Sequence, residues 1–219
     1  VVYHHQSLPL YKKGWSFFKK DERVLAMYKY FYPFIISPTF TKNTDVVVQI
    51  PFIKRGFVKK YGHPEDKVYV LFPDVYVQVP QDNEKDEELR RSPYFIYPAT
   101  GASYKQHRTI VNAVEVAKKK YPEVANKIRV LFTLDKDSNK VLCEYIKAKG
   151  CENNFEFIGR VEYNDLMRLV KNTSALLFPS IIETLGLPLI EAATMGKAVV
   201  AANEDYAKEV LADYEGVTF

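Results

Sequence analysis

The segment Pro179-Ser180-Ile181-Ile182-Glu183-Thr184-Leu185-Gly186-Leu187-Pro188-Leu189-Ile190-Glu191-Ala192-Ala193 has residue types and spacing suited to a phosphorylated, hydroxyl-rich ligand. The apolar run ending at Phe178 predicts a buried strand, the residues after Pro179 a loop, and those from about Leu187 a helix. Loops at the carboxyl ends of parallel strands are where open α/β sheets bind ligands. The first amides of the following helix have no partner within it and lie at the positive end of its dipole, which suits a phosphate. Gly186 would let that backbone come close to the anion. Glu191, one turn into the helix, would accept hydrogen bonds from a ribose diol, and Glu183 from a sugar's hydroxyls. The same pattern also suits a plain strand–loop–helix unit with two solvated glutamates.

Other chemistries fit less well. Asp135-Lys136-Asp137 has the Asp-x-Asp spacing found in some divalent-metal sites, but it lies in a charged loop after a strand. The four histidines and two cysteines show no metal-ligand spacing, so no metal site is expected. The nine glycines never fall two apart, which excludes a G-x-G-x-x-G dinucleotide fingerprint. The segment 11–20 interleaves Lys12, Lys13, Lys19 and Lys20 with Tyr11, Trp15, Phe17 and Phe18. It suits peripheral contact with an anionic membrane surface, or equally a flap whose rings pack inward while its lysines stay wet.

Composition sets the frame. At 219 residues, 47% hydrophobic and 26% charged, the chain has material for a sizeable core. A net charge of +4 gives no reason to expect nucleic acid as a partner. Cys143 and Cys151 alone give no disulfide framework and fit a reducing compartment. No run approaches a membrane span and no charged leader opens the chain, so a cytoplasmic protein is expected, with the inner membrane face as a peripheral site.

The elements that must position these residues alternate. Strands are predicted at 95–97, 128–132, 155–158, 175–178 and 198–201, and near 217. Helices are predicted at 105–120, 140–149, 188–195 and 206–211, and another capped by Asn164 or Asp165 and running to Lys171. That alternation means a parallel sheet covered on both faces. Earlier come strand-like runs at 1–3, 45–49 and 67–72, with a helix over 21–32. The expected organisation is a partial first unit over 1–77, a solvated linker over 78–92 and a second unit over 93–219. No strand and glycine-bearing turn precede Val1, so the first unit is expected to lack its opening element, and the second its last helices.

Glu183 and Glu191 stand eight apart, followed by Gly196-Lys197-Ala198-Val199-Val200-Ala201 and Glu209-Val210 and preceded by Phe157-Ile158-Gly159-Arg160-Val161. Together with the strand running into Pro179-Ser180, this order resembles group 1 (family 4) retaining glycosyltransferases, with their Glu-x7-Glu signature. The resemblance covers 94–219 well and the first 75 residues more loosely. It implies an α/β GT-B fold, two Rossmann-like domains with parallel sheets facing a cleft, the N-terminal one truncated and on the acceptor side. It also implies transfer of a hexosyl unit from a UDP-, GDP- or ADP-sugar to a saccharide or lipid-linked acceptor in polysaccharide or cell-envelope glycan synthesis. No metal or other cofactor is implied. A nucleotide-sugar epimerase of the same fold and a non-catalytic nucleotide-sugar-binding protein are the alternatives.

Carried over residue by residue, the resemblance gives Glu183 the donor sugar, Glu191 the ribose, and the amides of Thr184, Leu185, Gly186 and Leu187 the diphosphate. Lys105 stands where the family's diphosphate-binding lysine stands, and Gly159, Arg160 and Val161 would line the base pocket. The segment Val1-Val2-Tyr3-His4-His5 resembles the one whose histidine approaches the donor sugar; His5 is preferred, since the strand would turn His4 inward. Two departures stand out. Ala99 and Thr100 occupy positions where many members carry an arginine, and Glu183-Thr184-Leu185-Gly186 replaces Glu-Gly-Phe-Gly.

Overall fold

The structure is a computed structural model that describes residues 1–20 and 22–219, with Lys85 described by its backbone alone. Asp21, the expected first residue of a helix, lies outside the described residues. The chain forms two compact units. Val1–Val75, Ile182–Gly186 and Glu204–Ala212 make the first; Tyr76–Ile181, Leu187–Asn203 and Asp213–Phe219 make the second.

The first unit runs β1 (Val2–Tyr3), α1 (Arg23–Tyr30), α2 (Tyr32–Ile36), β2 (Val46–Val48), α3 (Pro51–Tyr61) and β3 (Val68–Val70). Its strands form a parallel sheet in the order β1-β2-β3. The single helix expected over 21–32 is two helices, because Pro33 has no N–H to continue a helix and sits instead in the first turn of α2. Helix α3 is not among the elements expected from sequence. Lys54, Arg55 and Gly56 interrupt its apolar stripe, although Pro51 at its first turn and Gly62 behind it are ordinary start and stop signals. It buries Ile53 and Phe57, one turn apart, and Gly56 lets Leu10 lie close against it. Around Phe57 the rings of His4, Phe40, Tyr61 and His63 pack at centroid distances of 4.9, 5.3, 4.7 and 5.6 Å.

The second unit opens with α4 (Glu84–Arg91), inside the stretch expected to be a linker. That expectation is corrected by Asp86, which is fully buried. Its carboxylate accepts hydrogen bonds from the Asn83 amide (2.7 Å), Arg168 (2.8 Å) and Asn172 (2.7 Å). Burial alone would raise this carboxyl's pKa, but these donors outweigh it and hold the group below its usual range. The polar composition of 84–91 thus encodes a pinned helix.

Then follow β4 (Phe95–Tyr97), α5 (His107–Lys120), α6 (Pro122–Ala125), β5 (Val130–Phe132), α7 (Lys140–Ala148), β6 (Phe155–Phe157) and α8 (Tyr163–Asn172). The chain continues through β7 (Ala175–Phe178), α9 (Leu187–Thr194), β8 (Ala198–Ala201), α10 (Asp205–Val210) and β9 (Val217–Thr218), with α10 belonging to the first unit. The six strands are all parallel, in the order β6-β5-β4-β7-β8-β9. This is a doubly wound sheet whose order reverses between β4 and β7. Tyr97, Phe132 and Phe178, from three adjacent strands, are fully buried and meet edge to face, Tyr97 lying 6.4 Å from Phe132 and 5.8 Å from Phe178.

The starts of α5 and α8 differ from expectation for reasons visible in the backbone. Helix α5 begins at His107 rather than at Lys105, because Gln106 has φ 56°, a left-handed conformation no helix accepts. Helix α8 begins at Tyr163 behind an extended Glu162, so neither Asn164 nor Asp165 caps it. Among the described residues no helix is long and apolar enough to cross a membrane.

Candidate functional site

In the second unit Lys105 follows the carboxyl end of β4, Gly159, Arg160 and Val161 follow that of β6, and Leu187 and Glu191 lie on the helix after β7; the strand order reverses between β4 and β7. The loop after β4 ends in a 3-10 turn, Ser103–Lys105, followed by the left-handed Gln106. The Tyr97 hydroxyl, at the end of β4, donates to the Lys105 carbonyl at 2.7 Å and fixes the turn. The Tyr104 carbonyl accepts from the Ile181 amide at 3.0 Å, tying this turn to the exit of β7. The Lys105 ammonium stands 5.4 Å from the Tyr104 ring and 5.8 Å from that of Phe178, within reach of attraction to the ring faces.

His107, at the start of α5, packs 4.7 Å from Tyr97 and 5.0 Å from Phe132, and its Nε2 has no hydrogen-bond partner among the described residues. Burial, reinforced by the charge of Lys105, lowers its pKa to about 4. A neutral imidazole therefore sits beside the lysine, and sequence reasoning did not single it out.

Glu191 lies one turn into α9 and is 8% exposed. Burial raises its pKa; burial also raises that of Tyr163, two residues beyond Val161, and the Glu191 charge adds to it. The turn at Gly159, with φ 71° and its amide bonded to the Leu134 carbonyl at 3.0 Å, delivers Arg160 and Val161 toward the start of α8. Arg160 is exposed and Val161 half-buried. Leu187, exposed, opens α9.

In the first unit the loop Ile182–Gly186 meets the end of β1. The Tyr11 hydroxyl spans the backbone of Glu183, accepting from its amide at 3.2 Å and donating to its carbonyl at 3.3 Å. The Thr184 hydroxyl donates to the His5 carbonyl at 2.8 Å and lies 3.4 Å from the Ser7 hydroxyl. Thr184, one of the two departures from the family pattern, is thus what fastens the loop to the strand end. Leu185 and Gly186 are buried, and Gly186 takes φ 74°, which a side chain would strain. His4 points inward, 3% exposed, while His5 is exposed and stacks on Tyr3 at 5.8 Å. From α10, Glu209 accepts from the Phe52 amide at 2.6 Å, filling an orphan donor at the start of α3.

The structure places the remaining candidates as follows. The Asp135 carboxylate accepts from the amides of Asp137 (2.8 Å) and Ser138 (3.1 Å), as a local turn cap does. In the segment 11–20, Trp15 is buried with Lys13 over its ring at 4.6 Å, whereas Phe18 is 93% exposed. Tyr11 was grouped with that segment in the sequence. Its bond to Glu183 spans 172 positions, and no local pattern announces it.

The sequence model of the family described as Glycosyl transferases group 1 matches residues 79–219. The O-antigen chain mannosyltransferase RfbU of Salmonella typhimurium is 25% identical over 185 residues, 84% of this chain and 49% of RfbU. Among solved structures the chain is similar to WaaG, a glycosyltransferase involved in lipopolysaccharide biosynthesis. The TM-score is 0.73 at 18% identity, over 99% of this chain and 60% of WaaG. It is also similar to Anabaena Alr3699/HepE in complex with UDP and glucose, with a TM-score of 0.68 at 19% identity, over 95% of this chain and 54% of that one. The chain therefore spans about half the length of the curated relative it matches.

Proposed function

The chain belongs to the group 1 glycosyl transferases and has their GT-B fold, and from that premise we propose that it transfers a hexosyl unit from a nucleotide-diphospho-sugar. The acceptor is a saccharide or lipid-linked glycan, in polysaccharide or cell-envelope glycan synthesis. The observation that carries this reading is the Tyr104–Ile181 hydrogen bond, which joins the lysine-bearing turn after β4 to the exit of β7 at the switch point.

In this reading Lys105 and the first amides of α9 receive the diphosphate. The lysine neutralises the negative charge that develops on the leaving nucleoside diphosphate as the glycosidic bond breaks. Glu191 accepts from the ribose hydroxyls, and the Gly159-Arg160-Val161 turn lines the base. Glu183, its backbone held by Tyr11, accepts from the donor sugar's hydroxyls, and His5 approaches the same sugar. Transfer proceeds with retention of configuration and without a metal, since these groups supply the leaving-group stabilisation a metal would otherwise give. UDP is the favoured nucleotide, because a structural neighbour was solved with it.

Calorimetric titration with UDP, GDP and ADP, comparing the chain with its Glu191→Ala variant, tests the reading. The expected result is micromolar binding of one nucleotide, weakened about tenfold or more by loss of the carboxylate's hydrogen bonds. A folded chain that binds none of the three would leave no donor site here. Binding with neither transfer nor hydrolysis of any donor would make it a nucleotide-sugar-binding protein.

A further inference from the structure

The first unit holds a cavity of about 690 Å³ between the end of α1, α2, the loop that follows and the end of α3, a volume typical of small-molecule sites. None of the donor-site residues lines it. Three lysines do, Lys29, Lys42 and Lys60, and among the described lining residues there is no carboxylate. Lys29 is half-buried and donates to the carbonyls of Pro9 (3.2 Å) and Tyr11. Burial and the nearby charge of Lys60 lower its pKa, so positive charges are gathered here against their own repulsion. Between them stand ring faces, Phe34 77% exposed and Phe40 and Tyr61 half-buried at 5.4 Å from one another. The Tyr61 hydroxyl is buried and has no hydrogen-bond partner among the described residues. A polar atom left unmatched in this way costs free energy until something bonds it.

We propose that this cavity binds a phosphate-bearing saccharide. Lys42 and Lys60 meet the phosphate, and the rings of Phe34, Phe40 and Tyr61 lie against the sugar. That the ligand is a saccharide rests on the glycosyltransferase reading; that it is an anion rests on the lysines alone. A hexose phosphate and a glycan joined to a lipid through phosphate present the same chemistry.

The full chain is titrated with glucose 6-phosphate, with glucose, with a short prenyl-phosphate-linked glucose in detergent, and with phosphatidylglycerol vesicles. Each titration is repeated with Lys42→Ala/Lys60→Ala and with Glu191→Ala. Saturable binding of glucose 6-phosphate is expected, about tenfold weaker in the double variant and unchanged in Glu191→Ala, with glucose alone at least as weak. Tighter binding of the prenyl-linked sugar assigns the lipid-linked source, and equal binding the soluble one. Absence of glucose 6-phosphate binding, or its loss in Glu191→Ala, overturns the proposal. So does lysine-dependent vesicle binding without sugar phosphate binding. UDP is titrated in parallel: a chain that binds glucose 6-phosphate but no nucleotide sinks the donor reading and leaves the cavity standing. Lys42 and Lys60 are exposed, so the double variant keeps its fold, checked by the unfolding midpoint of Trp15 fluorescence, a buried reporter in the same unit.

Discussion

In the second unit the strands are apolar runs such as Ala175–Phe178, joined by helices that carry apolar stripes; in the first, three strands of two or three residues lean on a cluster of rings around Phe57. One unit gains order from the repetition of a doubly wound plan, the other from a few large side chains meeting in one place. The difference teaches where each is vulnerable. A sheet of six strands tolerates local change but depends on the pins that hold its covering helices. A ring cluster concentrates its stability in buried groups, the histidines His4 and His63 among them.

The sharpest way to break the comparison is Asp86→Ala, which removes the carboxylate shared by Arg168 and Asn172 and strands a charge between α4 and α8. A loss of about 3–5 kcal/mol is expected from the second unit. Urea unfolding followed by circular dichroism reads it, while fluorescence of Trp15, the sole tryptophan and a buried residue of the first unit, keeps its midpoint. Equal shifts in both signals would mean the units unfold as one.

Acid sharpens the contrast further. Burial, the largest cause, lowers His4 from 6.5 to about 4; the His5 charge adds to this, and the hydrogen bond with the Gln6 backbone opposes it. His107 falls to a similar value. Both fold in the neutral form, so the unfolded chain binds their protons more tightly. Their contribution is complete above pH 6.5 and is lost as pH falls toward 4, at most on the order of 3 kcal/mol each. His4→Leu should flatten the pH dependence of the Trp15 transition, and His107→Leu that of the circular dichroism transition alone.

The smallest effect belongs to Tyr11→Phe, which removes the hydroxyl bridging the Glu183 amide and carbonyl. About 1 kcal/mol is expected, roughly a fivefold weaker affinity for the whole nucleotide sugar with the free nucleotide unaffected. Equal weakening of both ligands would detach Glu183 from the sugar.

How far these features were legible follows from how far apart their causes lie in the chain. The parallel sheet was readable because each strand–helix step repeats within about thirty residues. The Glu183–Glu191 spacing was readable because one turn and one helix contain it. Asn83 and Asp86 have the spacing of a reciprocal helix cap, a signal outweighed by the surrounding charge run. The left-handed Gln106 had no such mark, since neither glycine nor asparagine stands there. Tyr11 was out of reach altogether, its role being decided by a loop more than 170 positions away.

That same separation has a consequence for synthesis. Ile182–Gly186 and Glu204–Ala212 complete the unit begun by Val1–Val75, and more than a hundred residues of the other unit are translated in between. At ordinary elongation rates the nascent first unit waits on the order of ten seconds for its last pieces. During that interval the amides at the start of α3 lack Glu209, and Tyr11 lacks the backbone of Glu183. A chaperone acting on the ribosome-bound chain would find its target there, and the first unit would become native only after most of the second had left the exit tunnel.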